Sequence, residues 1–143
     1  MSPNPIIFKE LPFDYGHRVF GHETKCGSLH GHRGIAVIYA QGKLDNLGRV
    51  IDFSVLKERI GGWIDLYWDH ATILYSKDEE LVAAISSVKA YKPLFVLPTN
   101  PTAENLAQYL LDEVCPKLME GTGIEIVKVQ IWETPTSCAE VVK

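Results

Sequence analysis

The alternation of apolar and polar residues predicts several β-strands along the chain. Residues 6–20 mix apolar and polar side chains at a period of about two residues, and residues 31–42 form a second extended run. A longer strand is predicted at residues 124–132, and shorter ones at residues 94–97 and 138–142. Because successive residues of a strand face opposite ways, each segment can bury one side and expose the other.

Two longer segments carry apolar residues at the spacing of an α-helix. The first helix is expected to begin at an N-cap, either Asp52 or Ser54, and to run to about Tyr67. Its apolar stripe consists of Leu56, Ile60, Trp63, Ile64 and Tyr67. The second long helix is expected to follow Thr102 as its N-cap, and the spacing also allows a short helix at residues 81–88.

Each long helix contains residues that disturb helical geometry. Gly61 and Gly62 predict either a kink or close packing in the first helix, at a cost of about 1 kcal/mol per glycine relative to alanine. Pro116 is expected to kink or loosen the last turn of the second helix. With strands before and after the helices and no repeat or linker, the order predicts one α+β domain over residues 1–143 with an antiparallel sheet.

Composition and charge narrow the functional classes. The chain has 143 residues, of which 46% are hydrophobic and 22% are charged, as in ordinary globular proteins. A net charge of −4 without clustered Lys and Arg argues against a nucleic-acid binder. No apolar run approaches the ~20 residues of a membrane span, and the N-terminus does not resemble a signal peptide. Three cysteines do not suggest a disulfide framework, so a cytoplasmic protein is expected.

A metal site is predicted where the first two strands meet. His30 and His32 are two residues apart on a strand, so both imidazoles project from the same face. Two histidines at this spacing, without further ligands nearby, are more often ordinary polar residues of a strand than a metal site. However, His17 lies in the preceding strand, and the turn-rich segment 21–28 would fold that strand back beside the second. Three imidazoles suit a zinc ion with one open coordination position.

Cys26, just ahead of the two paired histidines, has three alternative roles. As a fourth ligand it would close the site, and the zinc would then be structural in a non-catalytic binding module. As a nucleophile or base it would need its pKa lowered by the nearby zinc. As a buried thiol it would be inert. The spacing alone leaves these alternatives open.

Three carboxylates and one more histidine are further candidates. Asp69 could orient and charge His70 if the end of the helix brings these adjacent side chains together; otherwise the pair is a helix-end feature. Glu133 ends an apolar strand and is suited to accept paired N–H donors from a flat heterocycle. Glu104 is favourably placed at the positive end of a helix dipole, which accounts for it without any further function.

Six short motifs together resemble the 6-pyruvoyltetrahydropterin synthase family. They are Phe13-Asp14-Tyr15-Gly16-His17-Arg18, Cys26-x-x-x-His30-Gly31-His32, Gly48-Arg49-Val50-Ile51-Asp52-Phe53, Asp69-His70, Pro101-Thr102-Ala103-Glu104-Asn105 and Trp132-Glu133-Thr134. The resemblance covers residues 8–142 and is closest to the carboxy-forming branch, the 6-carboxytetrahydropterin synthases of the queuosine (7-deazaguanine) pathway. It implies the tunnelling fold, with a four-stranded antiparallel sheet, two long helices on one face and assembly into an oligomeric barrel, usually a hexamer.

The resemblance also implies roles for individual residues, in active sites that lie between subunits. The implied Zn²⁺ ligands are His17, His30 and His32. The implied proton-handling groups are Cys26, Asp69 and His70. The implied substrate-binding groups are Glu133, Thr102 and Glu104.

The implied reaction converts 7,8-dihydroneopterin triphosphate to 6-carboxy-5,6,7,8-tetrahydropterin and releases acetaldehyde and triphosphate. The short interval between Cys26 and His30 resembles the carboxy-forming branch. The alternatives are the pyruvoyl-forming reaction and a non-catalytic module that binds zinc or pterin. Arg18, Lys25 or Arg33 is expected to hold the triphosphate, unless a neighbouring subunit supplies the charge.

Two places depart from the family pattern. Tyr15-Gly16 replaces a usual pair of alanines before the first zinc ligand, and Trp68 replaces a more usual leucine before Asp69. These departures predict altered packing beside the zinc and around the second base.

Overall fold

Residues 3–143 are described by a computed structural model, in which six strands form one mixed sheet. The strands are β1 (Ile6–His17), β2 (His30–Gln41), β3 (Ala71–Tyr75), β4 (Phe95–Leu97), β5 (Glu125–Thr134) and β6 (Ser137–Val142). Their order across the sheet is β4-β3-β1-β2-β5-β6. The pairs β1–β2, β2–β5 and β5–β6 are antiparallel, whereas β1–β3 and β3–β4 are parallel.

The α+β class is confirmed, but the expected four-stranded antiparallel sheet is wrong in strand number and in strand direction. The alternation pattern misses β3, a strand of five residues. Ala71, Ile73 and Leu74 are buried, so β3 is a short apolar run, which alternation does not separate from other buried segments. β3 runs parallel to β1 and therefore opposite to β2, the strand that precedes the first long helix. Parallel neighbours cannot be joined by a tight hairpin, so the local sequence does not signal this pairing.

Two long helices and one short helix accompany the sheet. The first long helix consists of Phe53–Leu56, Lys57–Gly61 and Gly62–Tyr67, and the second of Ala103–Tyr109, Leu110–Val114 and Cys115–Leu118. The middle segment of each has the wider hydrogen bonding of a π-helix. The short helix spans Glu79–Ser86, which confirms a helix here but places it two residues earlier than the spacing of residues 81–88 indicated, so Val88 lies outside it. Within residues 3–143, no helix has the length and apolar character needed to cross a bilayer.

The long helices begin where the sequence predicts. The Asp52 side chain accepts a hydrogen bond from the Ser54 N–H at 2.9 Å, so Asp52 is the cap of the first helix. The Thr102 hydroxyl accepts one from the Asn105 N–H at 3.1 Å at the start of the second. Both starts are therefore set by local side-chain bonds.

The glycine and proline positions have different structural explanations. A Cβ at Gly61 would lie 3.1 Å from Leu11 Cδ2, so this glycine lets the first long helix pack closely on β1. Pro116 follows the π-helical segment of the second long helix and lacks the N–H that an α-helical turn would use. The helix nevertheless continues to Leu118, with its hydrogen bonding widened ahead of the proline.

One face of the sheet is buried under the two long helices. A single core cluster joins sheet residues Leu11, Phe13, Ala36, Ile38, Val129 and Ile131 to helix residues Leu56, Ile60, Ile64, Leu106, Leu110 and Leu111. Alternate residues of β1 from Leu11 onward point to this face. His17 continues the same set and therefore lies on the core side, at the end of the strand.

The opposite face of the sheet is left open by these helices. Phe8 is 51% exposed there, and its ring centroid lies 5.4 Å from that of Tyr39. With Trp132 and Pro135, these rings line a cavity of about 550 Å³. This apolar face has no covering layer in the described part of the single chain.

Candidate functional site

Three histidines come together at one end of the sheet. His17 ends β1, His30 begins β2, and the antiparallel register places them opposite each other, with His32 opposite Tyr15. The ring centroids are 4.7 Å (His17–His30), 5.0 Å (His17–His32) and 4.9 Å (His30–His32) apart. One nitrogen of each ring lies within 4.8 Å of the other two. The residues that the sequence predicts as metal ligands are thus brought together.

His17 is held as a neutral ring with one free nitrogen. Its Nδ1 lies 2.6 Å from the Pro101 carbonyl oxygen. Because a carbonyl only accepts, Nδ1 carries the proton and Nε2 keeps a free lone pair. His17 is 1% exposed, and burial lowers its pKa to about 4, so the ring is neutral near pH 7. Its Nε2 is buried and has no hydrogen-bond partner in residues 3–143.

His30 is oriented in the same way. Its Nδ1 lies 2.6 Å from the Ser28 carbonyl oxygen, which leaves Nε2 as an acceptor. Neutral imidazoles whose second nitrogen donates to a carbonyl are the form in which histidine binds metals. Three imidazoles fit zinc with one coordination position open. The identity of the metal stays a prediction.

Glu133 of β5 faces the same point as the histidines. Its Oε1 lies 3.6 Å from His17 Nε2 and 3.8 Å from His32 Nε2. The carboxylate oxygen and the free His17 nitrogen are both acceptors, so their approach is favourable only with a proton or a cation between them. The donor set at this point therefore fits a metal cation.

Cys26 lies outside the histidine cluster. It belongs to a 3₁₀ turn, Lys25–Gly27, and is half-buried. Its carbonyl oxygen accepts a hydrogen bond from the Val19 N–H at 2.9 Å, which ties the turn to the chain just after β1. In the described chain, the metal-ligand atoms grouped around His17 do not include the Cys26 sulfur. This geometry counts against a closed site of one cysteine and three histidines, while the role of the thiol stays a prediction.

Asp69 and His70 interact because they lie in the short segment between the end of the first long helix at Tyr67 and the start of β3 at Ala71. The His70 Nδ1–H donates to Asp69 Oδ2 at 2.9 Å. His70 has a positive φ of 62°, a left-handed conformation that is uncommon for a residue with a Cβ. Burial opposes the ionisation of Asp69, but hydrogen bonds from the Asp14 N–H and from His70 hold its pKa below the ordinary range. The dyad is therefore a carboxylate that orients an imidazole.

The Asp14 main chain anchors this dyad to β1. Its N–H donates to Asp69 Oδ1 at 2.9 Å, and its carbonyl accepts from the His70 N–H at 2.6 Å. The Asp69–His70 group is separate from the three-histidine cluster. However, His30, His32 and His70 line one cavity of about 490 Å³, so a molecule there would meet both groups.

The start of the second long helix lies beside the cluster. The Pro101 carbonyl bonds His17, and the next residue, Thr102, is the helix cap. Asn100 bonds the main chain of Phe20 in both directions, accepting from its N–H at 2.7 Å and donating to its carbonyl at 3.1 Å. Glu104 is exposed in the first turn. The substrate-binding roles of Thr102 and Glu104 stay predictions.

The three basic residues expected to hold triphosphate have different surroundings. Arg18 forms a two-point ion pair with the buried carboxylate of Asp78, so it is already engaged. The Arg33 Nη1 atom lies 3.3 Å from Asp14 Oδ1, and the Arg33 side chain is largely exposed. Lys25 is exposed in the turn that carries Cys26. A role for any of them in binding phosphate stays a prediction.

Tyr15 packs between Phe13 and the histidines. Its ring is stacked on Phe13 with centroids 4.9 Å apart, and its centroid lies 5.1 Å from that of His17 and 5.7 Å from that of His32. Burial, and secondly the charge of Glu133, raise the pKa of Tyr15, so the phenol stays neutral. Tyr15 thus places an aromatic ring directly beside two of the candidate metal ligands.

Sequence reasoning misses the main-chain groups that orient the histidines. The Pro101 and Ser28 carbonyls carry no sequence signal, because every residue has a carbonyl. Asn100 and Asp78 are also missed. The sequence does show an asparagine before Pro101 and an aspartate just ahead of the short helix. Because asparagine and aspartate are common in turns and helix caps, these positions do not indicate the long-range contacts that they make.

Comparisons with known sequences bear on the whole chain. The family profile described as 6-pyruvoyl tetrahydropterin synthase matches residues 6–143. A Rickettsia bellii protein named 6-carboxy-5,6,7,8-tetrahydropterin synthase is 40% identical over 134 residues, covering 93% of this chain and 96% of that protein. A Haemophilus influenzae protein of the same name is 34% identical over 140 residues, covering 94% of this chain and 96% of that protein.

Solved structures share the fold. An uncharacterized protein from Wolinella succinogenes superposes with a TM-score of 0.82 at 25% identity, covering 99% of each chain. The 6-pyruvoyl tetrahydropterin synthase of Plasmodium falciparum gives a TM-score of 0.71 at 22% identity, also covering 99% of each chain, and shows the fold alone. With the profile match and the relatives above, these findings establish that the chain belongs to the 6-pyruvoyl tetrahydropterin synthase family and is a pterin-processing enzyme of that type.

Proposed function

We propose that this enzyme converts 7,8-dihydroneopterin triphosphate and water to 6-carboxy-5,6,7,8-tetrahydropterin, acetaldehyde and triphosphate. The observation that carries the proposal is the name of two relatives, 40% and 34% identical over nearly the full length of the chain. The product would serve the synthesis of 7-deazaguanines, preQ0 and then queuosine. Action in the cytoplasm is part of the same proposal.

The three histidines are proposed to hold zinc. The support is the buried, unpartnered Nε2 of His17 and the carbonyl-oriented ring of His30. Zinc bound there would supply a Lewis acid, and its chemistry would be to polarise the oxygens of the substrate side chain and so acidify the neighbouring C–H bonds. His32 completes the set from the same face of β2.

Two side chains are proposed to move protons. Cys26 acts as a base in its thiolate form, from the turn that leads into His30. His70 acts as the second group, because Asp69 fixes its Nδ1 proton and leaves Nε2 to take or give one. Since His70 shares a cavity with two of the metal ligands, a bound substrate can lie between these groups.

Glu133 is proposed to anchor the pterin ring. An ionised carboxylate offers two acceptor oxygens, which match the paired N–H donors of the flat ring. Its side chain is 28% exposed next to buried His17, so a ligand can reach it. Thr102 and Glu104 are proposed to add contacts from the start of the second long helix.

We also propose that the active enzyme is a homo-oligomer, a hexamer with active sites between subunits. The edge strands β4 and β6 each pair with a neighbour on one side only, and open edges favour pairing with another chain. The uncovered face of the sheet also carries exposed Phe8, an apolar side chain that contact with another subunit would bury. Closure of several sheets into a barrel would pair the edges and cover that face.

The pyruvoyl-forming reaction is the second candidate, because the matching family profile is described by that activity. The same zinc, thiol and imidazole suit both reactions. The short interval between Cys26 and His30 supports the carboxy product. A non-catalytic module is the third candidate, and the position of Cys26 outside the histidine cluster counts against the closed zinc site that it would use.

One experiment separates these candidates. Zinc-loaded protein is incubated with 7,8-dihydroneopterin triphosphate, and the products are identified by mass spectrometry. The proposal expects 6-carboxytetrahydropterin and acetaldehyde in equal amounts. A pyruvoyl product without acetaldehyde would assign the second candidate, and bound but unreacted substrate would assign the module.

A further inference from the structure

Tyr15 has a buried hydroxyl group without a partner. The residue is 3% exposed, and its Oη has no hydrogen-bond partner in the described chain. A buried phenol normally finds an acceptor, because the loss of its water contacts otherwise costs free energy. The Tyr15 ring lies beside those of His17 and His32, so this unused donor belongs to the candidate site.

Glu133 is the acceptor that this hydroxyl can use in the metal-bound site. The Tyr15 ring reaches toward the strand that carries Glu133: a Cβ at Gly34 would lie 2.8 Å from Tyr15 Cε1 and 3.4 Å from the carbonyl oxygen of Trp132, the residue before Glu133. Glu133 Oε1 lies 3.6 Å from His17 Nε2, and the His17 ring centroid lies 5.1 Å from that of Tyr15. Other acceptors near the ring are the Trp132 carbonyl oxygen, which lies within the pairing of β2 with β5, and the nitrogens of His17 and His32. The lone pairs of these nitrogens point to the proposed metal position and are taken up when a cation is bound.

We infer that Tyr15 is a positioning residue whose O–H donates to the Glu133 carboxylate and holds it away from the three-histidine cluster. This inference rests on the proposed role of Glu133 in pterin binding. It goes beyond that role by naming the group that directs Glu133 toward the ring.

The need for such a group follows from the position of Glu133. Its Oε1 lies 3.6 Å from His17 Nε2 and 3.8 Å from His32 Nε2, within reach of a cation held by these nitrogens. A carboxylate that bound the cation would fill the open coordination position and would no longer face the pterin. A hydrogen bond from Tyr15 favours the alternative orientation, in which the carboxylate accepts N–H donors from the ring.

Tyr15→Phe tests the inference, because it removes only the hydroxyl. The metal-free variant should melt at the same temperature as the wild type or higher, since an unpartnered buried donor is lost. Two readouts should move in opposite directions. Zinc should bind more tightly, measured by competition with a chromophoric chelator, and neopterin should bind about tenfold more weakly to zinc-loaded protein, measured by fluorescence. A merely structural role would weaken both.

Two further variants complete the test. Tyr109→Phe is the matched control, because Tyr109 is a half-buried tyrosine of the aromatic cluster with Trp63 and Phe95, and it should change neither readout. Glu133→Gln should weaken neopterin binding, because it removes one of the two acceptor oxygens and the charge of the carboxylate. Adding Tyr15→Phe to it should weaken binding little further, since the hydroxyl acts on the pterin only through that carboxylate.

The outcomes distinguish the inference from the proposed function. Neopterin binding that is weakened by Glu133→Gln but unchanged by Tyr15→Phe overturns the inference and leaves the role of Glu133 standing. Binding unaffected by Glu133→Gln overturns both. If Tyr15→Phe does not fold, the crystal structure of zinc-loaded wild-type protein decides. We expect about 2.5–2.7 Å between Tyr15 Oη and a Glu133 oxygen, and a Glu133 oxygen bound to the zinc overturns the inference.

Discussion

Arg18 and Asp78 form a two-point ion pair directly beside the cluster residue His17. The Arg18 Nε–H donates to Asp78 Oδ2 at 2.7 Å, and its Nη2 donates to Oδ1 at 2.5 Å. Asp78 is 1% exposed and immediately precedes the short helix, whereas Arg18 follows the last residue of β1. The pair thus fixes the end of the strand that carries His17 against the start of a helix.

This geometry predicts unequal effects for the two partners. Arg18→Met leaves the Asp78 charge buried without a partner and should lower the free energy of unfolding by about 3–5 kcal/mol. Asp78→Asn leaves an arginine whose side chain is 25% exposed and can reach water, so the cost should be about 1–2 kcal/mol. Urea unfolding followed by tryptophan fluorescence measures both. Equal costs would show that the burial of Asp78 is not the controlling factor.

This first prediction extends to pH, because the same ion pair makes the stability of the fold depend on the ionisation of Asp78. The hydrogen bond from Arg18, working against burial, holds the pKa of Asp78 below its ordinary value. A group with a lowered folded-state pKa stabilises the fold above its unfolded pKa and loses that contribution as the pH falls through the folded value. The stability difference between wild type and Asp78→Asn should therefore be complete at pH 7 and shrink below about pH 4. Unfolding curves from pH 7 to pH 3 measure it.

Gly34 and Tyr15 give a second prediction. A Cβ at Gly34 would lie 2.8 Å from Tyr15 Cε1, and the ring is packed against Phe13 and cannot easily move. Gly34→Ala should therefore cost about 1–3 kcal/mol of stability. The cost should be the same in a Tyr15→Phe background, which keeps the ring, and smaller in a Tyr15→Ala background.

Gly62→Ala is the matched control for that substitution. Its Cβ would meet no atom within 4 Å, and the residue is helical, so the change should stabilise the protein by up to about 1 kcal/mol. Thermal melts of six variants provide the comparison: Gly34→Ala, Tyr15→Phe, Tyr15→Ala, the two double variants that add Gly34→Ala to each Tyr15 change, and Gly62→Ala. An unchanged melting temperature for Gly34→Ala would show that the ring yields.

The local parts of this fold and site follow from the sequence, and the long-range parts do not. The helix caps at Asp52 and Thr102 depend on residues two or three positions away, so they are predictable. His30 and His32 share a face because a strand has a period of two. The contact of His17 with Pro101 joins residues 84 positions apart through a main-chain carbonyl, which no residue type signals.

The pairing of the strands is another long-range feature that the sequence does not predict. β3 is too short and too uniformly apolar to be recognised from its own residues, and its parallel pairing with β1 depends on how the preceding helix returns the chain. The Cys26 turn is likewise set by the Val19 main chain rather than by spacing to the histidines. Its place outside the cluster was therefore open until the tertiary structure was known.

A third prediction concerns the metal. Purified wild-type protein should carry about one zinc per chain, and His30→Ala combined with His32→Ala should abolish binding. Zinc at 100 times its dissociation constant should stabilise the wild type by about 2.7 kcal/mol and leave the double variant unchanged. Elemental analysis and thermal melts with and without chelator measure these effects. His22→Ala is the control, because His22 instead accepts a hydrogen bond from the Thr24 N–H.

A fourth prediction concerns assembly. The edges of the sheet at β4 and β6 and its uncovered apolar face should be occupied by other copies of the chain. Light scattering should give a mass several times that of one chain, with a hexamer expected. Phe8→Lys, which charges the exposed face, should reduce that mass or the affinity of assembly. An active monomer at assay concentration would contradict active sites between subunits.

The last prediction separates backbone strain from chemistry at His70. Its φ of 62° is costly for a residue with a Cβ and free for glycine, so His70→Gly should be more stable than His70→Ala by about 1 kcal/mol. If His70 moves a proton, both variants should lose about 10²–10⁴-fold in kcat, because neither has the imidazole. Both should retain the metal, since the dyad is separate from the three-histidine cluster.

The comparison is informative because both variants lack the imidazole, whereas only the alanine variant keeps a Cβ and therefore the backbone strain. Steady-state kinetics with 7,8-dihydroneopterin triphosphate, metal content and thermal melts would be measured on the same preparations. Equal activity loss with unequal stability supports proton transfer by His70 held on Asp69. If His70→Gly retains near-normal kcat, the imidazole is not required, and the His70–Asp69 hydrogen bond serves only to shape the turn into β3.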